Sequence, residues 1–232
     1  MDIILIPGLW LDASSWTEVA AHLERAGHTV HPLTMPGVGA SAADSSEIGM
    51  SDWVDAAAAA VDRVGAPVVV VGHSGGGNVA WGVTDARPAA VARTVFVDTV
   101  PPPSGFGISE FEVIDGVVPF PGWDHFPAED VDDLDEATRT RTAGLTRSVP
   151  ARVPTDPIEL RSDARFGVPV TLLMGGMDQE TLESELDQWG PYAEEFRAID
   201  DVEVVRIGSG HWPQFSVPDR LATLIDAAVT RS

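Results

Sequence analysis

Residues Val68 to Gly77 read VVVVGHSGGG, four valines running straight into Gly-His-Ser-Gly-Gly. An apolar, β-branched run closed by glycine is the pattern of a strand buried on both faces of a parallel sheet. The Gly72-His-Ser-Gly-Gly76 that follows fits a nucleophile elbow, a strained strand-to-helix corner that holds a serine hydroxyl clear of its neighbours. Gly72 and Gly76 would let backbone segments approach where a Cβ would clash. Beyond them, NVAWGVTDA predicts a helix that stops at Arg87-Pro88. Ser74 is therefore the candidate nucleophile.

Working outward, strands alternate with helices. Strands are expected at Asp2–Ile6, Thr29–Leu33, Thr94–Val97, Val170–Met174 and Val202–Ile207, besides the Val68 strand. Helices are expected at Ser15–Ala26, at Asp52–Val64 with Ser51 as its N-cap, after Ser74, and at Val217–Val229. This alternation predicts an α/β fold, a doubly wound and mainly parallel sheet of about six strands. Such sheets place their sites at the carboxyl ends of the strands, so the loops after each strand carry the functional reading.

Composition narrows the chemistry. The 232 residues suit one domain, and 44% hydrophobic content is ample for a core. There is no cysteine, which excludes disulfides, thiolate nucleophiles and Cys-based metal sites. All 14 basic residues are arginine, so Schiff-base chemistry and covalent pyridoxal phosphate are excluded too. A formal net charge of −22 argues against nucleic acid or an anionic membrane as partner. The opening IILIP is too short for the apolar segment of a signal peptide, and no run reaches membrane-spanning length, so a soluble cytoplasmic protein is expected.

The loops after the strands supply what a serine nucleophile needs. After the first strand comes PGLWLDASSW, where Gly8 permits a tight turn and the Leu9 amide can face the Ser74 corner. With the amide of Gly75 it would form a two-donor oxyanion hole. After the last strand comes GSGHWPQF, whose His211 lies among glycines and is the candidate base. Two loops offer an acid to orient that histidine: TLLMGGMDQE, with Asp178, and VFVDTVPPP, with Asp98. Glu180 is a third candidate. Asp178 is the favoured choice, giving the chain order Ser74, Asp178, His211.

With these pieces in place, the chain resembles the α/β-hydrolase fold superfamily, in particular the small Ser-His-Asp esterases and the plant methyl-esterase and hydroxynitrile-lyase group. The resemblance rests on IPGLW, MPGVGAS, GHSGG, GGMD and GSGHWPQ. It implies a sheet lacking the family's first two strands, and a triad that needs no cofactor or metal. Two residues depart from the family pattern. Pro7 replaces the usual histidine before Gly8, and Thr34 stands where an aspartate often sits.

The family's insertion point falls at residues 101–166, expected as a cap within a single domain spanning 1–232. Its phenylalanines and Trp123 would either line the pocket or form the cap's own core. The pocket expectation names Trp10, Phe106, Trp123, Met177 and Trp212. The acidic run AEDVDDLDEA reads as a solvated helix start. The expected activity is hydrolysis of a small apolar ester or lactone through an acyl-enzyme. Alternatives are a carbon–carbon bond hydrolase or perhydrolase with the same triad, or a non-catalytic ligand-binding relative.

Overall fold

The structure, a computed structural model, describes residues 1–231. Six strands form one parallel sheet: β1 (Asp2–Ile6), β2 (Thr29–Pro32), β3 (Val68–His73), β4 (Val91–Val97), β5 (Val170–Met174) and β6 (Val202–Arg206). Their spatial order is β2-β1-β3-β4-β5-β6. The expected fold class is met. The chain steps outward from β1 to β2, then crosses back to β3 on the other side. The loops after β1 and β3 therefore leave the sheet side by side at its switch point, where crevices form in such sheets.

Strand periodicity divides the core. In β1, Ile4 and Ile6 pack on one face and Ile3 and Leu5 on the other. In β3, Val68 and Val70 join the first group while Val69 and Val71 join the second. Both faces are covered, which is why these strands read as unbroken apolar runs. One face packs against helices α2 (Met50–Val64) and α3 (Gly75–Ala86). The other packs against α1 (Thr17–Arg25) and the closing helix (Pro218–Val229).

Two local expectations are corrected. Helix α2 starts at Met50, with Gly49 rather than Ser51 as N-cap, and the Asp52 carboxylate accepts the Gly49 amide at 2.8 Å. The acid three residues on caps the helix, so no hydroxyl is needed at position 51. Strand β4 starts at Val91, three residues before the apolar run suggested. Arg93 interrupts that run, yet it is buried, with its guanidinium donating to Thr171 Oγ1 at 3.2 Å.

Residues 101–166 leave the sheet after β4 and return before β5. They carry a short antiparallel hairpin, Val117–Val118 against Val149–Pro150, a helical turn at Ala128–Val131, and helix α4 (Glu136–Ala143). Val131, Leu134 and Trp123 pack with Leu11, Trp212 and Phe215 of the sheet's loops. At the returning end, the Arg161 and Ser162 amides donate to Asp85 of α3 at 2.9 and 2.8 Å.

Candidate active site

The elbow is built as its glycines suggested. Ser74 sits at φ 51°, ψ −126°, a region costly for any residue with a side chain. A Cβ on Gly72 would lie 2.4 Å from Gly76 O, and one on Gly76 would lie 2.5 Å from Pro7 O. Neither position tolerates alanine without backbone movement. The packing that these glycines permit brings α3 down onto β1 and β3 and holds the strained serine in place. The strain costs on the order of 1–3 kcal/mol and persists because its surroundings over-determine it.

Three residues from three strand ends meet here. Ser74 Oγ lies 2.9 Å from His211 Nε2, and His211 Nδ1 lies 2.6 Å from Asp98 Oδ2. The tautomer follows from these partners: Nδ1 donates to the carboxylate, leaving Nε2 to accept the serine proton. Asp98 is the first residue past β4, itself at φ 48°, and its Oδ1 accepts the Gly175 amide at 2.7 Å. Burial works to raise its pKa. The hydrogen bond and charge of His211 and the Gly175 amide outweigh burial and hold Asp98 below the ordinary carboxylate range.

Asp178, the favoured acid from sequence, is not part of this cluster. It lies four residues past β5, beyond Gly175, Gly176 and Met177, at the exposed start of helix α5 (Gln179–Glu185). Its carboxylate caps that helix, accepting from the Thr181 amide at 3.0 Å and the Thr181 hydroxyl at 2.8 Å. Glu180 lies exposed in the same helix's first turn. The reason for the correction is topological. Strand β4 is hydrogen-bonded directly to the nucleophile strand, whereas β5 is one place further out. An aspartate immediately at the exit of β4 is thus nearest to the histidine, and the signal available in sequence was its zero offset from the strand end. The chain order Ser, Asp, His survives with Asp98 in the middle.

A second histidine, His73, supports the first. His73 Nε2 donates to the His211 carbonyl oxygen at 2.7 Å, and Gln214 Nε2 donates to His73 Nδ1 at 3.3 Å. Burial, followed by repulsion from His211, lowers the His73 pKa to about 3, so it stays neutral at working pH. The acidic run is not simply solvated either. The Asp130 carbonyl accepts the His211 amide at 2.9 Å, and Asp133 Oδ2 accepts the Gly210 amide at 2.8 Å. The 101–166 segment therefore grips the histidine loop directly. Trp212 reinforces the grip by packing edge-on against Trp123, with ring centroids 5.0 Å apart.

The loop after β1 lies against the elbow: a Cβ on Gly8 would be 3.2 Å from Ser74 Cβ, and one on Gly75 3.1 Å from Leu9 Cγ. Gly75 opens α3, where amides have no acceptor within the helix. Thr34, in place of an aspartate, accepts the Ala13 amide through Oγ1 at 3.1 Å and so ties the far end of this loop to the segment after β2.

A cavity of about 170 Å³ opens on Ser74 and His211. Of the five residues expected to line it, Trp10 and Trp212 do. Phe106 instead packs on Tyr192 at the surface, Trp123 is buried in the cluster beneath Trp212 with its N–H given to Arg139 O, and Met177 packs with the β5–α5 cluster. From the insertion the lining adds Ile108, Ser109, Phe111, Phe126 and Asp130, which the pocket expectation did not name. Phe111 and Phe126 crowd the Trp10 ring at centroid distances of 4.7 and 5.9 Å. Larger concavities of about 600 and 590 Å³ lie elsewhere, and neither includes the reacting atoms. Among the described residues no group of acidic or histidine side chains is placed to hold a metal ion, and no helix is long and apolar enough to cross a membrane.

The family model for the alpha/beta hydrolase family matches residues 3–224, and the chain belongs to that family. Among characterised relatives, a carbendazim hydrolyzing esterase from a Nocardioides species is 24% identical over 97% of this chain and 98% of its own length. The rice (Oryza sativa subsp. japonica) esterase PIR7B is 37% identical over 43% of this chain. The two matches at 30% identity or better span only 37% and 38% of those relatives' lengths. In fold, the chain is similar to an extracellular α/β-hydrolase from a Paenibacillus species, itself described as homologous to tobacco salicylic acid binding protein 2. That similarity has a TM-score of 0.78 at 19% identity, covering 98% of each chain.

Proposed function

We propose that this protein is a serine esterase that hydrolyses small carboxylic esters or lactones through an acyl-enzyme, with Ser74 as nucleophile, His211 as base and Asp98 as the orienting acid. The observation that carries the reading is the unbroken chain of short contacts from Ser74 Oγ through the His211 ring to Asp98, set on a strained elbow. Full-length similarity to a protein named as an esterase supports it.

The proposed steps are these. Ser74 Oγ attacks the ester carbonyl as its proton passes to His211 Nε2, and Asp98 stabilises the imidazolium that forms. The Leu9 and Gly75 amides hold the developing oxyanion. His211 returns the proton to the leaving alcohol, then activates water to cleave the acyl-enzyme. Residues 101–166 act as a cap that walls the acyl site with Ile108, Phe111 and Phe126. At about 170 Å³ the cavity is smaller than the roughly 300–1,000 Å³ of typical ligand sites, which favours short acyl groups.

The test is a series of 4-nitrophenyl esters from acetate to octanoate, with Ser74→Ala alongside. Turnover should peak at two to four acyl carbons, and the alanine variant should lose on the order of 10⁶ in kcat. An alanine variant that keeps more than a few per cent of the rate would remove Ser74 from the mechanism.

A further inference from the structure

The wall of the catalytic cavity includes an aspartate that the hydrolytic steps do not use. Asp130, from the helical turn Ala128–Val131, lines the same cavity as Ser74 and His211. Its position is fixed rather than incidental. Its carbonyl accepts the His211 amide, and Gly210 approaches so closely that a Cβ there would lie 2.3 Å from Asp130 O. Its neighbour Val131 is buried with Trp123 and Trp212, so the residue cannot swing away without breaking the packing that holds the catalytic histidine.

The charges around it are one-sided. Among the residues lining the cavity, only His73, His211 and Asp130 can titrate, and no arginine is present to offset the carboxylate. His73 is neutral in its buried setting. Asp98 stands behind His211, and Glu129 adjoins on the turn. Burial raises the Asp130 pKa, attraction to His211 opposes this, and repulsion from Asp98 and Glu129 adds to the rise. An aspartate on this wall adds negative charge beside a site where acyl transfer creates another.

We propose that Asp130 is a specificity-determining residue whose carboxylate excludes esters with an anionic acyl half, restricting the site to uncharged short-chain acyl groups. This rests on the esterase reading above. Like charges a few ångströms apart in a partly desolvated cavity repel strongly enough to discriminate by tenfold or more.

The test compares kcat/KM for 4-nitrophenyl butyrate and 4-nitrophenyl hemisuccinate at pH 8, corrected for spontaneous hydrolysis. The enzymes compared are wild type, Asp130→Asn, Asp130→Ser and Glu24→Gln. Glu24 is exposed on α1, so its neutralisation reduces the overall negative charge by the same amount away from the cavity. The wild type should prefer butyrate at least tenfold. Both Asp130 variants should narrow the ratio about tenfold, and Glu24→Gln should leave it alone. A ratio unchanged in the Asp130 variants, or shifted equally by Glu24→Gln, overturns the proposal. So does a wild type that cleaves both esters equally well, whether or not the variants fold. A protein that cleaves neither overturns the esterase reading itself.

Discussion

The exits of β4 and β5 each present an aspartate at the catalytic edge of the sheet, and they do opposite things. Asp98 leaves β4 with no intervening residue, turns through a positive φ, and is mostly buried between the Gly175 amide and His211. Asp178 leaves β5 after a Gly-Gly-Met spacer, remains in solvent, and spends its carboxylate on capping a helix. Both have lowered pKa values. For Asp98 the hydrogen bond and charge of His211 outweigh the opposing effect of burial, whereas for Asp178 the cause is the Thr181 amide and hydroxyl. A depressed carboxylate pKa therefore marks a satisfied carboxylate, not a catalytic one. What separates the two is which strand lies next to the nucleophile and what else shares the site.

The strongest way to break this contrast is to neutralise each acid in turn. Asp98→Asn should lower kcat on the order of 10⁴, because an amide in place of the carboxylate favours the wrong His211 tautomer. Asp178→Asn should leave kcat within about twofold and the unfolding midpoint unchanged, since asparagine caps a helix as well as aspartate does. Steady-state kinetics and denaturant unfolding of the two variants decide the matter. Equal losses, or a larger loss at Asp178, would reverse the assignment.

A smaller effect probes the buried support of His211. At the end of β3 the folded chain keeps His73 neutral with a pKa of about 3, whereas an unfolded chain protonates histidine near ~6.5. Between these values the unfolded state binds the extra proton. His73 should thus make stability fall as pH drops below ~6.5, by up to ~1.4 kcal/mol per pH unit, and should add no pH dependence above that. Urea unfolding at pH 7, 6 and 5 should show a shallower decline in His73→Gln than in wild type. Parallel declines would mean that His73 is protonated in the folded chain after all.

The sheet, its order of elements and two of the three clustered residues were readable because their signals are local. VVVVGHSGG encodes strand, corner and helix within ten residues, and GSGHW sets a histidine among glycines at a strand exit. The aspartate that meets His211 was not the one favoured from sequence, because which one lies beside it depends on strand order, a long-range property: β4 and β5 are both followed closely by an aspartate. The 101–166 segment was hard to read for a related reason. Trp123 and Phe126 are only three residues apart, yet one supports Trp212 from within the apolar cluster and the other faces the cavity. Their roles are set by how an irregular segment docks on the histidine loop, and no periodicity reports that. Asp130 and Asp133 read as solvated charges because nothing local shows that the Gly210–His211 backbone comes to meet them.

Covalent trapping tests the central claim most directly. A fluorophosphonate reacts with a serine only where a base has activated it, and the adduct can be located by peptide mass spectrometry. The wild type should carry one adduct, on the peptide containing Ser74. Labelling should be abolished by His211→Ala and slowed strongly by Asp98→Asn, while Asp178→Asn labels at the wild-type rate. An unlabelled wild type, or an adduct on any other serine, would contradict the account.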